Sequence, residues 1–306
     1  MGTLGATVRS ARESSGLKAQ ILVVVFCLVA GFAYRASVSL IPSGIAEAVF
    51  ILAGAAVLLV LALAARRTAA FVRFWEIPFA FFIFFLAGFF GDGSVSPFQH
   101  LFVSNVLHET TSTNNPLAST MTGSVLAQIG GTVLLAVPIV ALTLASGRKL
   151  QDIFISKPKS LWGVVVAVVV FLVFWFIALR GRTVSFFPIH GALTTSRFLS
   201  LTPALVVLVL LNGFREELWF RALFLQKYGR FLSPAIANVL AAVIFTSFHV
   251  EVKYAASVVI FLVYTLVIGL VAGWLMQRSG SLLASTIFHA GTDIPIFLVY
   301  LSYATT

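Results

Sequence analysis

The chain has 306 residues, 60% of them hydrophobic and only 10% charged, with a formal net charge of +10 and a mean hydropathy of +1.05. Soluble domains carry roughly 25% charged residues, so this composition excludes an ordinary soluble domain and points to an integral membrane protein. The single cysteine, Cys27, sits in an apolar run, which excludes a disulfide framework and a cysteine metal site.

A spanning helix needs about 20 mostly apolar residues. In chain order the apolar runs predict nine spans, near 19–39, 43–65, 70–90, 123–146, 160–179, 199–222, 233–250, 255–276 and 282–302. The first is followed by a second span rather than a soluble domain, so it reads as a span and not a cleaved signal peptide. Glu76 and Pro78 interrupt the start of the third. The sixth ends in a charged stretch and is expected to continue to about Tyr228. The N-terminal tail carries Arg9, Arg12 and Lys18. Arg66, Arg67 and Arg73 follow the second span, and Arg148, Lys149, Lys157 and Lys159 the fourth. Lys227 and Arg230 follow the sixth, and Arg278 the eighth. The opposite side has Arg35, Arg180, Arg182, Arg197 and Lys253, and the loop from about 91 to 122 has no Lys or Arg. Positive charge favours the cytoplasmic side, so the N-terminus is expected in the cytoplasm and the C-terminus outside. The expected architecture is an all-α, polytopic membrane helix bundle of about eight or nine transmembrane helices. Short loops and an Ala/Val-rich composition fit a bacterial plasma membrane.

The first half offers little chemistry. The stretches "AVLLVLALAA" and "PFAFFIFFLAGFF" read as lipid-facing or packing surface. Glu47 and Glu76 lie at span ends, where exposure at the interface is expected, and His100, His108 and His190 lie in loops with no role assigned. Residues 1–159 therefore form an N-terminal transmembrane region of unassigned role, and 160–306 the candidate catalytic membrane core.

That second half places charges inside apolar runs, where they are expensive and usually functional. In "FREELWFR" (Phe214 to Arg221), Glu217 and Arg221 are four apart, share a helix face and can pair. Glu216 projects about 100° away, free for another partner. In "FTSFH", Phe245 lies one turn below His249, and in "HAGTD", His289 and Asp293 share a face. A carboxylate in a low-dielectric site can act as general base on water. A second one neutralised by Arg stays ionised, and histidines assist as proton carriers, oxyanion donors or metal ligands. These parts suit hydrolysis of a peptide bond in or at the edge of the bilayer. They also suit a divalent metal such as zinc, with Glu216, His249, His289 and Asp293 as candidate ligands, although ExxH-type spacing on one helix is absent. Gly269 and Gly273 form a GxxxG pair that reads as close helix packing.

"EELWFR" fits EExxxR, "FTSFH" fits FxxxH and "HAGTD" fits HxxxN/D. In this order the chain resembles the CAAX-protease and bacteriocin-processing (CPBP) family, which includes the type II CAAX prenyl endopeptidase. "LVIGLVAGWLMQRSGSLLASTIFHAGTD" also resembles that family's approach to its last motif, and the resemblance covers roughly residues 160–306. It implies an intramembrane endopeptidase acting on a membrane-associated peptide or protein. Glu216 would be the water-activating base, supported by Glu217 and Arg221. His249 would hold or activate the water, and His289 and Asp293 would face the scissile carbonyl. The prenyl endopeptidases carry Asn at the last position, where Asp293 stands here. Asp293 would then orient His289, bind a metal, or sit protonated.

Other classes remain open on the sequence alone. The charges could form only a structural ion-pair and hydrogen-bond network, in a silent scaffold or regulator of the same fold. An ion-coupled transporter would bring internal repeats, which the sequence lacks. No basic patch interleaves with aromatics, so no nucleic-acid partner is expected, and the surrounding partner is the lipid bilayer.

Overall fold

A computed structural model describes residues 16–41, 44–182, 187–252 and 255–305. Arg9, Arg12 and Lys253, used above to read the topology, lie outside the described residues. The main helices are α1 (Leu17–Leu40), α2 (Ile45–Arg67), α3 (Glu76–Gly91), α4 (Met121–Ala145) and α5 (Trp162–Leu179). They continue with α6 (Thr195–Glu216), α7 (Pro234–Ser247), α8 (Val258–Ser279) and α9 (Leu282–Tyr303). Among the described residues there is no strand, only an isolated bridge between Thr120 and Thr305. The chain is an all-α polytopic bundle, and among the described residues eight stretches are long and apolar enough to cross a membrane. The exception is α7, whose 14 residues reach about 21 Å, short of a hydrocarbon core about 30 Å thick.

Helix starts follow from local chemistry. Thr120, Thr194, Ser233, Ser257 and Ser281 each accept a backbone N–H of the first turn of α4, α6, α7, α8 and α9, occupying a donor that the helix itself leaves free. Pro234 at the first position of α7 has no N–H to satisfy. After α8, Gly280 adopts the left-handed conformation (φ 65°) and turns the chain directly into α9.

The centre of the bundle is α9, with 89% of its apolar stretch buried, packed against α5 and α6. The periphery is α5, with 17% of its stretch buried. The Phe-rich α3 is packing surface: Phe81, Phe84 and Phe85 are buried, Phe84 and Phe85 enclose Tyr34 of α1 together with Trp219 and Phe248, and Phe81 packs edge-on against Phe84. Two expectations are corrected. Glu47 and Glu76 are not interfacial but buried, at 2% and 5% exposure.

Hydrogen bonds and ion pairs sort the two ends of the bundle. At one end Glu76, opening α3, pairs with Arg148 beyond α4 and with Arg230 beyond α6, the latter at 2.5 Å. Here Ser156 donates to Gly280 O (2.8 Å) and Ser281 donates to Ser156 O (2.6 Å). At the other end Arg35 of α1 pairs with Glu251 (2.9 Å) and donates to Ser247 O (3.0 Å) beyond α7. Arg197 at the start of α6 donates to Ser302 O (3.2 Å) near the end of α9, and Met121 N donates to Thr305 O (3.0 Å).

Candidate active site

The polar face of α6 converges on His289 of α9. At its end α6 changes from α-helical to π-helical hydrogen bonding over Glu217–Ala222, a local widening that recurs at functional sites. Trp219 anchors this turn by donating to Phe84 O (3.0 Å) and stacking on the Phe84 ring at 4.7 Å. An apolar helix of the first half therefore holds the charged segment in place.

Glu217 and Arg221 are both fully buried and pair through Oε1 and Nη1, as their four-residue spacing predicts. The same Glu217 Oε1 accepts from His289 Nδ1 at 2.7 Å. Glu216, expected to find a separate partner, reaches the other side of the same imidazole: its Oε2 is 3.4 Å from His289 Nε2. Asp293 Oδ1 is 3.6 Å from that nitrogen. One histidine is thus flanked by three carboxylates. Its neighbour Phe245 forms a wedge, with the Arg221 guanidinium 4.2 Å above its ring centroid and the rings of His249 and His289 at 4.6 and 5.6 Å. His249 lies just beyond the end of α7, and its Nδ1 is 3.0 Å from Phe245 O. A carbonyl only accepts, so Nδ1 carries the proton and Nε2 is left as an acceptor.

Small residues permit these approaches. A Cβ on Gly213 would lie 2.8 Å from Thr286 O, so glycine lets α6 meet α9 closely. A Cβ on Gly269 would lie 3.0 Å from Ala242 Cβ and 3.1 Å from Arg221 Nη2. The GxxxG pair does serve close packing, and it also exposes Gly269 O to Arg221 Nε at 3.2 Å.

A cavity of about 740 Å³ descends onto this cluster. Its floor includes Asn212, Arg215, Glu216, His249 and Asp293, and its wall and mouth include residues between Asp92 and Leu117. Glu217, Arg221 and His289 do not line it; they sit behind Glu216 as a buried support. Two floor residues escaped the sequence reading. Asn212 donates to Asp293 Oδ2 at 2.8 Å and accepts from Arg215 Nη2 at 3.2 Å. It lies four residues before Glu216, so the spacing rule that linked Glu217 to Arg221 could have found it. Arg215 is the second. Its side chain is 18% exposed on the cavity floor, and its Nε is a buried donor without a partner among the described residues. From the first half, Asp92, Gln99 and Gln128 line the wall, and no local pattern around them signals this.

No group of three or more His, Cys, Asp or Glu side chains among the described residues is arranged to hold a metal ion. The ring nitrogens of His289 already face carboxylates. The described side chains do not form a ready metal cage.

Residues 198–295 match the family model described as type II CAAX prenyl endopeptidase Rce1-like. Over this segment the resemblance to CAAX proteases is shown. The match begins in the first turn of α6, ends in α9, and contains every motif residue from Glu216 to Asp293. No curated protein and no solved structure matches the chain. Five of the eight membrane-length helices among the described residues lie outside this segment, and together they support an integral membrane protein with a core that resembles CAAX-type peptidases.

Proposed function

We propose that the protein is an intramembrane endopeptidase in which Glu216 activates water. The observation that carries this reading is the cavity floor itself. Glu216 is a mostly buried carboxylate facing the cavity, with an imidazole acceptor and an unpartnered guanidinium donor on the same floor. A water there would donate one proton to Glu216 and the other to His249 Nε2. As the water oxygen adds to the scissile carbonyl carbon, its proton passes to Glu216. The carbonyl oxygen becomes an oxyanion, and the Arg215 guanidinium on the cavity floor supplies the positive charge that meets it. Glu216 then returns the proton to the amide nitrogen, the C–N bond breaks to give a carboxylic acid and an amine, and the second water proton passes from the acid to the amine, so that a carboxylate and an ammonium leave.

The remaining residues position this chemistry. Glu217, paired with Arg221, holds His289 through Nδ1, and His289 Nε2 faces both Glu216 and Asp293. Asp293, where the prenyl endopeptidases carry Asn, is tied by the Asn212 amide. In this arrangement Asp293 orients His289 and is not itself an oxyanion donor. The first 159 residues supply the wall of the cavity and the aromatic anchor of the π turn.

The test is cleavage of a quenched membrane-peptide library by purified protein beside Glu216→Gln, with and without a chelator. Cleavage is expected from wild type and to fall about 10²–10⁴-fold in the variant, the usual range for a general base. A chelator is expected to leave the rate unchanged; loss of activity on chelation, restored by metal, would make the reaction metal-assisted. Equal rates for wild type and variant would leave a silent scaffold as the better reading.

A further inference from the structure

From the position of the cavity mouth we infer that the site takes its substrate from the extracytoplasmic face: the exposed, outward end of a membrane-inserted protein or peptide. The substrate class rests on the peptidase reading above; the side does not.

Two independent observations meet here. The first is which end of the bundle the cavity reaches. Its wall is built from the segment between α3 and α4, where Gly93, Ser94, His100, Ser104 and Thr111 are exposed. Ile296, Phe297 and Tyr300, toward the C-terminal end of α9, line it as well. This is the end marked by the contacts of Arg35 with Glu251, Arg197 with Ser302, and Met121 with Thr305. None of the residues at the opposite end, around Glu76, Arg148, Ser156 and Gly280, lines it.

The second observation is charge. The Lys and Arg side chains after α2, α4, α6 and α8 all belong to the Glu76 end. The cavity end has few, and its wall between α3 and α4 has none. Short loops rich in Lys and Arg stay in the cytoplasm. The bundle is therefore oriented with the Glu76 end inside and the cavity mouth outside. His289 lies only about 10 Å above the inner start of α9 at 1.5 Å per residue, so the substrate must descend most of the way through the bundle to reach Glu216. An extended segment suits that path, and a folded domain does not.

The experiment uses the full-length chain in intact bacterial cells with a membrane-impermeant maleimide. Wild type, whose only cysteine Cys27 is buried, is the unlabelled control. Thr111→Cys marks the cavity mouth and Lys157→Cys the opposite end; both positions are exposed. Labelling of Thr111→Cys in intact cells, with Lys157→Cys labelled only after lysis, is the expected result. The reverse pattern, or labelling of both in intact cells, would overturn the inference. A second arm adds the quenched peptide to sealed vesicles of each orientation, and cleavage is expected only in right-side-out vesicles. Labelling reads the side without needing cleavage. Correct labelling with inactive vesicles would therefore sink the peptidase reading alone, and cleavage only in inverted vesicles would sink the sidedness.

Discussion

Two regions of this bundle bury glutamates beside arginines, and they are built differently. At one end of the bundle Glu76 is held by two arginines, Arg148 and Arg230, which are themselves about a third to a half exposed at 34% and 46%. It does not line the main cavity. In the middle, Glu216 and Glu217 share one histidine, and the Arg221 that neutralises Glu217 is fully buried. Polar atoms there remain unpartnered among the described residues, including Glu217 Oε2, Arg221 Nη2 and Arg215 Nε. Buried charge alone therefore does not mark chemistry. Incomplete satisfaction beside a cavity does, because an unpaired buried polar atom is costly and persists where something else uses it.

The comparison breaks first at Arg221. Arg221→Leu leaves Glu217 in the apolar core with only His289 Nδ1 on its Oε1, and a loss of about 3–5 kcal/mol is expected. Thermal unfolding in detergent would read it, and Glu217→Gln in the same chain should restore part of the loss. Arg148→Leu should cost far less, since Glu76 keeps Arg230. Equal losses at Arg221 and Arg148 would erase the distinction between the two regions.

Arg215→Gln sharpens it through catalysis. Removing one oxyanion donor costs about 10²–10³ in kcat in well-studied sites, and KM should change little if the contact forms only in the transition state. A rise in KM with unchanged kcat would make Arg215 a substrate-binding residue instead. Glu76→Gln should have the converse profile: kcat and KM as in wild type, with a stability loss of about 1–2 kcal/mol as a charge-assisted pair weakens. Lost activity in a well-folded Glu76→Gln protein would show that the Glu76 network reaches the site.

How much of this was legible in the sequence depends on whether a relationship is local. Spacing alone paired Glu217 with Arg221, placed Phe245 under His249 and put His289 beside Asp293, because one helical turn fixes which side chains are neighbours. Apolar run length gave the membrane-spanning bundle, apart from the short α7. What spacing could not give was contact between helices. An ideal helix sends Glu216 and Glu217 about 100° apart, and they flank one imidazole because α9 places the His289 ring between them. Burial of Glu76 depends on two arginines from loops far along the chain. The role of α3 in anchoring Trp219 rests on a carbonyl, which every residue has and no sequence pattern reveals.

The smallest expected effect concerns a further acidic residue, Glu109, in the cavity wall. Its carboxylate accepts from the backbone N–H groups of Ser119 (3.0 Å) and Thr120 (3.1 Å) and from both hydroxyls, clamping the wall to the first turn of α4. These hydrogen bonds, the Ser119 hydroxyl first, hold its pKa below the ordinary value of 4.5. A depressed carboxylate pKa stabilises the fold above the unfolded value, and that contribution is lost as pH falls through the folded value. Wild type should therefore melt slightly above Glu109→Gln at neutral pH, with the gap closing below pH 4.5. A gap that ignores pH would mean that the clamp works through shape and not through charge. In that case the cavity wall, like the Glu76 network, would be purely structural, and the chemistry would be confined to the floor around Glu216.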